Sequence, residues 1–343
     1  MLYSLARSAL FRLDPEVAHH LALKSLCALG PGAALLGAGA DRKESRRVMG
    51  IDFPNPVGLA AGLDKNGEYI DGLAALGFGF LEIGTVTPRP QPGNPKPRMF
   101  RLEAHEAIIN RLGFNNVGVE QLLRNVGRAS FRGVLGINIG RNFDTPNERA
   151  ADDYLAGLDA VYDRATYVTV NISSPNTKDL RDLQSPEALD ALLGAILQRR
   201  DALAKRYPAA DAPARGKPLL LKIAPDLDDE QIAAIAGLAV KHGVDGLIAT
   251  NTTIDRDLVK DHRHGAEAGG LSGRPVFVKS TAILRKLAAA LAGRVPLIGV
   301  GGILSGEDAR AKIDAGASLV QLYTGFIYRG PALIADARRA LRA

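Results

Sequence analysis

The sequence predicts an α/β fold, a (β/α)8 TIM barrel with a short N-terminal two-helix extension. Three observations predict it. Short apolar runs recur after residue 45, at 57–60, 80–86, 134–139, 167–172, 219–223, 246–250, 297–300 and 319–323. Helix start and stop signals punctuate the segments between them. The length, 343 residues, accommodates one barrel of about 250 residues plus an extension and insertions. Near-continuous apolar runs suit parallel strands buried on both faces, and strands alternating with helices favour a barrel.

Taken in order, residues 1–45 form the extension and 46–343 the barrel. The first helix spans about residues 2–13 and is apolar almost all round, with Arg7 and Arg12 its only charges. Asp14-Pro15-Glu16 reads as an N-cap, a proline at the first helical position and an acidic first turn. The second helix stops at Gly30-Pro31. Such apolar helices cover one end of the barrel or dip into a membrane interface, and the two readings are compatible. In the barrel, Asp228-Asp229-Glu230 opens a helix that ends at Lys241-His242-Gly243, with cations at the negative end of the dipole. Ser305 with Asp308 resembles a capping box, and Ser185-Pro186-Glu187 starts another helix. A weak repeat runs from a helix-ending glycine through a strand to threonine at 77–85, 243–250 and 316–324. The segments between the second and third strands, and between the fourth and fifth, are long enough for extra structure.

Composition narrows the function classes. Net charge is +6, aromatics are 5% and tryptophan is absent. With no long Lys/Arg run, nucleic acid is a poor partner. The densest basic stretch, Arg42 to Arg47, follows the most apolar part of the chain, which suits an anionic membrane surface. Cys27 is the sole cysteine, so neither an internal disulfide, an iron–sulfur cluster nor a cysteine zinc site is expected. Histidines 19, 20, 105, 242, 262 and 264 make no i, i+4 pair on a helix, and no metal is expected. The longest uncharged N-terminal run, Ser25 to Ala40, is 16 residues and is broken by Gly30-Pro31-Gly32. It falls short of the roughly 20 residues of a membrane span, and Arg7, Arg12 and Asp14 interrupt any signal-peptide core.

In such barrels function gathers at the C-terminal strand ends. The first strand is followed by Ala60-Ala61-Gly62-Leu63-Asp64-Lys65-Asn66-Gly67, the second ends in Gly84-Thr85, the third in Asn138, and the fourth leads into Asn171-Ile172-Ser173-Ser174-Pro175-Asn176-Thr177. The fifth ends in Lys222, the sixth in Thr250-Asn251-Thr252, the seventh in Gly301-Gly302 and the eighth in Tyr323-Thr324-Gly325. The last two loops suit a phosphate, because glycine lets backbone N–H groups approach closely. No G-x-G-x-x-G follows a strand and opens a helix, which leaves a Rossmann dinucleotide site unsupported. Asparagines 110, 138, 171, 176 and 251 both donate and accept hydrogen bonds. Together they suit a planar ligand with alternating C=O and N–H edges, such as a flavin or a pyrimidine. Lys65 and Lys222 would steady an anionic reduced flavin, but a strand-end lysine also fits a Schiff-base aldolase or isomerase with a phosphate site. A barrel that merely binds a phosphorylated ligand is a third reading.

Four segments settle the choice by resemblance: Ala60 to Gly67, Asn110-Arg111-Leu112-Gly113-Phe114-Asn115-Asn116, Asn171 to Thr177, and Gly270-Leu271-Ser272-Gly273-Arg274-Pro275. They are similar to the signature segments of class 2 dihydroorotate dehydrogenases, and Gly299 to Ile303 and Gly316-Ala317-Ser318 agree. The resemblance implies oxidation of (S)-dihydroorotate to orotate in de novo pyrimidine synthesis, with one FMN per chain and a membrane quinone as second substrate. It implies that Ala61, Gly62, Leu63, Asp64, Lys65, Thr85, Asn138, Asn171, Lys222, Thr250, Gly273, Gly302, Tyr323 and Thr324 contact FMN. Lys65, Asn110, Arg111, Leu112, Gly113, Phe114, Asn171, Asn176, Asn251 and Thr252 would surround the substrate. Ser174 stands where the soluble class has a cysteine base, with Thr177 or a water as its proton relay. His19, Arg101 and Tyr323 would line a quinone tunnel beside the N-terminal helices. The family further implies a peripheral enzyme on the cytoplasmic face of the cell membrane, expected as a monomer.

Overall fold

The structure, a computed structural model, describes residues 2–37, 44–208 and 216–342. Residues 42 and 43 of the basic stretch, and 38–40 of the apolar run, lie outside the described residues. The chain opens with α1 (Leu2–Leu10), α2 (Pro15–Ala28) and a 3-10 turn over Gly30–Leu36. The hairpin β1 (Arg46–Val48) and β2 (Ile51–Phe53) leads into β3 (Val57–Leu59), α3 (Ile70–Ala74), β4 (Phe80–Val86), β5 (Met99–Leu102), β6 (Ala107–Asn110) and α4 (Val119–Arg128). Then come β7 (Val134–Ile139), α5 (Ala150–Val161), β8 (Tyr167–Asn171), α6 (Pro186–Arg206), β9 (Leu219–Ile223), α7 (Asp229–His242), β10 (Gly246–Ala249) and β11 (Gly270–Gly273). The chain finishes through α8 (Phe277–Leu291), β12 (Leu297–Val300), α9 (Gly306–Asp314), β13 (Leu319–Leu322), α10 (Thr324–Arg329) and α11 (Ala332–Ala340).

Eight parallel strands, β3, β4, β7, β8, β9, β10, β12 and β13, close into a barrel, sealed where Val320 of β13 pairs with Val57 of β3. These are the expected strands. Ala60, Ile172, Thr250 and Tyr323 fall just beyond the ladders, because at the strand ends the chain already turns toward the mouth. Helix α1 stops at Leu10, short of the expected residue 13, since Arg12 and Leu13 tighten onto the carbonyls of Ala9 and Leu10 ahead of Pro15. Asp14 caps α2, accepting from the N–H groups of Glu16 and Val17. Asp228 and Gln231 form a complete capping box on α7, whose end is Gly243 in the left-handed region. Ser305 Oγ caps α9 by accepting from Asp308. Ser185 occupies the N-cap of α6 without a side-chain cap bond.

The barrel has two apolar layers. Leu59, Ile83, Ile137 and Val170 pack with the helices around the barrel in one continuous core. Inside, Phe80, Tyr167, Leu220, Ile248, Ile298 and Leu319 pack with Ile51 and Phe53 of the β1–β2 hairpin, which plugs the N-terminal end. The opposite end stays open for function.

Two additions shape that open end. Strands β5 and β6 and the distant β11 form an antiparallel sheet in which Asn110 pairs with both Met99 and Gly270. The extension docks beside this sheet. Arg98 donates to the Glu16 carboxylate at 2.7 and 3.1 Å, both side chains being buried. Tyr3 OH donates to Ile327 O at 2.6 Å, Arg7 to Tyr328 O at 2.7 Å, and Arg101 to Phe11 O at 2.8 Å. No helix among the described residues is long and apolar enough to cross a membrane.

Candidate active site

At the C-terminal strand ends lies a cavity whose space, open mouth included, is about 990 Å³. Its floor is set by register. Glu82, fully buried on β4, accepts from Asn138 Nδ2 (2.8 Å), Tyr167 OH (3.0 Å) and Gln321 Nε2 (2.7 Å). Thr85 Oγ1 donates to Asn138 Oδ1 at 2.5 Å and accepts from Asn171 Nδ2 at 2.9 Å. Asn171 Oδ1 in turn accepts from the N–H and hydroxyl of Ser173, and Asn251 Nδ2 donates to Ser173 Oγ at 3.1 Å. Each amide is therefore oriented by its neighbours, which fixes the donors and acceptors left for a ligand.

Two lysines bring charge to this floor. Lys222 pairs in the ladder with Asn171 and lines the cavity. Among the described residues no carboxylate lies within ion-pair distance of its ammonium. Burial lowers its pKa, and the charge of Glu82 opposes the fall. Lys65, also in the cavity wall, is lowered to about 8 by burial; the Glu16 and Asp64 carboxylates oppose the fall and the Arg98 cation deepens it. Both are cations short of an anion, an expensive state unless a ligand supplies one.

One flank of the cavity is a cradle of backbone. Gly273, Gly301 and Gly302 line it with φ of 88°, 106° and 79°. A Cβ on Gly302 would lie 2.4 Å from Phe277 Cβ, so only glycine closes this turn. Thr324 Oγ1 donates to Ser272 Oγ at 2.9 Å across the cradle.

The other flank joins three loops. Asn110, Leu112, Gly113 and Phe114 face Ser174, Asn176, Asn251 and Thr252. Asn176 Nδ2 donates to Asn110 Oδ1 at 3.2 Å. Ser174 is 5% exposed, and its Oγ accepts from Asn176 N at 3.2 Å. Thr177 Oγ1 is buried without a hydrogen-bond partner, and Thr177 is not among the residues lining the cavity.

Of the expected ligand contacts, Ala61, Gly62, Lys65, Thr85, Asn171, Lys222, Thr250, Gly273, Gly302, Tyr323 and Thr324 line this cavity. Asn138 lies beneath it, bonded to Glu82 and Thr85. Asp64 is turned away, accepting from the N–H groups of Glu68 and Tyr69, and burial raises its pKa. Arg111 also points out of the mouth, paired with Glu267 at 2.6 Å and stacked over Phe100. Sequence reasoning missed Ser272 as a cradle group and Glu82, Tyr167 and Gln321 as the floor beneath Lys222. Cys27 is exposed on α2, away from this site.

A second cavity, predominantly apolar, opens between the extension and the barrel, lined by Tyr3, Leu10, His19, Leu63, Arg101 and Ile327 among others. Burial, with the nearby Lys65 and His20, pushes the His19 pKa down to about 3, so this imidazole is neutral. Tyr323 lies in the barrel mouth, its OH donating to Gly62 O at 3.2 Å. Leu63 also lines a small polar cavity between the two, which shares Lys65 with the barrel mouth and His19 with the apolar cavity.

The family described as dihydroorotate dehydrogenase matches residues 44–343 of the chain. Among curated proteins, the chain is 64% identical over 337 residues to a dihydroorotate dehydrogenase (quinone) of Thiobacillus denitrificans, with 98% of each covered. It is 62% identical over 343 residues to a protein of the same name from Paraburkholderia xenovorans, with 99% of each covered. Among solved structures, the DHODH of Eimeria tenella in complex with ferulenol matches with a TM-score of 0.86 at 41% identity, over 96% of this chain and 90% of that one. The ligand-free form from the same organism matches at 0.85 and 40%, over 96% and 94%.

Proposed function

Since this chain belongs to the dihydroorotate dehydrogenase family, in its quinone-linked class, we propose that its barrel mouth is where dihydroorotate is oxidised and that FMN is its flavin. The reaction converts dihydroorotate to orotate in pyrimidine biosynthesis and passes the electrons to a quinone. The observation that carries the site assignment is the meeting, in one cavity, of two anion-deficient lysines, a locked amide network and a glycine cradle.

The residues fit FMN. Gly273, Gly301, Gly302 and Thr324 would hold its phosphate, and Thr85, Asn171, Lys222 and Thr250 its ring edge. Lys222 supplies the positive charge that a flavin's pyrimidine edge calls for, and it has no ion-pair partner among the described residues, only the more distant charge of Glu82. When bound, FMN supplies the hydride acceptor for C6 of the substrate. Everything else falls to the chain. Asn110, Asn176, Asn251 and Thr252 orient the substrate ring, which is the proximity contribution, and Lys65 steadies its negative charge. Ser174 Oγ is the base that collects the C5 proton, already acidified by the adjacent carbonyl. A hydroxyl is a weak base, so that proton must pass on. Thr177, with its unpartnered Oγ1, or an ordered water is the relay.

The apolar cavity beneath α1 and α2 is the quinone site in this reading, with His19 and Arg101 in its wall. Leu5, Leu13, Val17, Leu21, Leu29 and Leu35 of the extension are exposed, an apolar rim suited to a lipid surface. The enzyme is then a monomer held peripherally on the cytoplasmic face of the cell membrane.

The test is anaerobic mixing with dihydroorotate while following flavin bleaching. The purified protein is expected to be yellow, and Ser174→Ala to slow bleaching by about 10²- to 10⁴-fold, the usual range for a lost general base. An unchanged rate removes Ser174 from the mechanism. A colourless protein trapped on a carbonyl substrate by borohydride would establish the aldolase chemistry instead.

A further inference from the structure

Lys312 is a buried cation that the reaction described so far leaves unused. It sits on α9 with no solvent exposure. Its stem packs against strand β12, where a Cβ on Gly299 would lie 3.0 Å from Lys312 Cβ. Its ammonium donates to Ser280 Oγ at 2.6 Å and lies 4.9 Å from the centroid of the Phe277 ring. Among the described residues no carboxylate is within ion-pair distance; Asp308 is the opposite charge acting on it from farther away. Burial alone pulls its pKa down to about 7. A lysine held this way, beside two neutral groups, costs stability unless something negative arrives.

The geometry indicates where. Ser280 Oγ, which accepts from Lys312, lies 3.1 Å from Gly301 O and from Phe277 O, and its single proton serves one of them at a time. The Gly301–Gly302 peptide is not among the cis bonds. In a trans peptide the N–H points opposite to the C=O. With the Gly301 carbonyl turned back toward Ser280, the Gly302 N–H is turned toward the cradle. Ammonium, hydroxyl, peptide and cradle form one polarised chain, in which each bond strengthens the next. The ammonium is within about 6 Å of the Gly301 carbonyl oxygen, the reach of two hydrogen bonds in series. Packing is tight throughout: a Cβ on Gly301 would lie 2.9 Å from Ser280 Oγ, and one on Gly302 would strike Phe277.

We propose that Lys312, acting through Ser280 and the Gly301–Gly302 peptide, is the counter-charge for the flavin phosphate and so a determinant of FMN over riboflavin. It is a positioning residue, since it stays behind the glycine loop and touches no ligand atom. The inference rests on the reading that the phosphate occupies this cradle.

The experiment measures dissociation constants of FMN and of riboflavin for the flavin-stripped full chain, in wild type, Lys312→Met and Lys312→Arg. A single charge acting on a phosphate dianion across partly polar protein is worth roughly 10- to 100-fold. Lys312→Met is expected to weaken FMN by that factor and leave riboflavin unchanged, while Lys312→Arg keeps most of the preference. The melting temperature of stripped Lys312→Met should hold or rise, because a buried ammonium has been replaced by an apolar chain of similar length. Equal loss for both ligands makes the lysine structural and overturns the inference, as does no loss for either. A wild type that binds FMN and riboflavin equally overturns the phosphate cradle itself, a separate failure visible before any variant is compared. Should the methionine variant not fold, Lys312→Gln takes its place and the same affinity ratio decides.

Discussion

Replacing Glu16 by alanine removes the anion from the buried pair that fastens α2 to the barrel. Arg98 would keep its Nη1 bonds to Pro92 O and Asn94 O, at 2.7 and 2.8 Å. Its Nε and Nη2, which now donate to Glu16, would face a site that is 8% exposed at either side chain. Leaving one partner of a buried pair uncompensated costs about 3–5 kcal/mol. Buried apolar anchorage on α2 comes from Ala18 and Leu23, too little to absorb that loss, so it appears as local undocking. At about 1.4 kcal/mol per tenfold, hydrogen exchange of the α2 amides should speed by roughly 10²- to 4 × 10³-fold while the barrel strands keep their protection. Quinone-dependent turnover should fall, and anaerobic flavin bleaching by dihydroorotate should fall much less, feeling only the loss of one carboxylate that supports the Lys65 charge. Glu16→Ala with Arg98→Met should recover much of the lost protection, because no charge is left stranded. Unchanged α2 exchange in the single variant would refute the reasoning, and so would equal damage to both half-reactions.

With Lys65 holding the ligand's carboxylate as proposed, orotate binding should be pH-dependent: below about pH 8 the lysine is charged, and above it that attraction is lost. The orotate dissociation constant, read from flavin absorbance, should rise by up to about tenfold per pH unit beyond pH 8 until the pKa of the bound form is reached; a flat profile from pH 7 to 9.5 would take Lys65 out of ligand binding. On the outer face, Leu21→Lys with Leu35→Lys, at positions 47% and 91% exposed, should reduce co-sedimentation with anionic lipid vesicles while leaving flavin bleaching intact. Undiminished sedimentation would move the membrane contact elsewhere.

The parts that were legible in the sequence share a physical cause. A barrel strand buried on both faces has to be largely apolar, so 80–86 and 134–139 announced themselves to the residue. Asparagines at strand ends stood out because amides are rare beside such runs, and Thr85, Asn171, Asn176 and Asn251 do converge. The β5–β6–β11 sheet was hidden. Its strands have four residues each, and its third strand arrives from 160 residues downstream of its partner. Buried charges were hidden for another reason. Glu82, Arg98 and Lys312 look like surface residues in any composition window, and only folding shows that Glu82 meets three donors inside the barrel and that Arg98 meets Glu16 from 82 residues away. Asp64 and Arg111 show the converse: each lies in a signature segment, yet the chain's own N–H groups and Glu267 claim them.

The pairing of Asn110 with Gly270, beside a barrel sealed by Val57 and Val320, orders events in time. Contacts of such long separation close late, after local helices and neighbouring strands have formed. A ribosome-bound chain that has not yet exposed β13 has an unsealed ring and no Thr324, so the cradle is incomplete until that strand has emerged. On the proposed flavin site, capture of the cofactor would wait for barrel closure, and the acquisition of colour during refolding would serve as a clock for it.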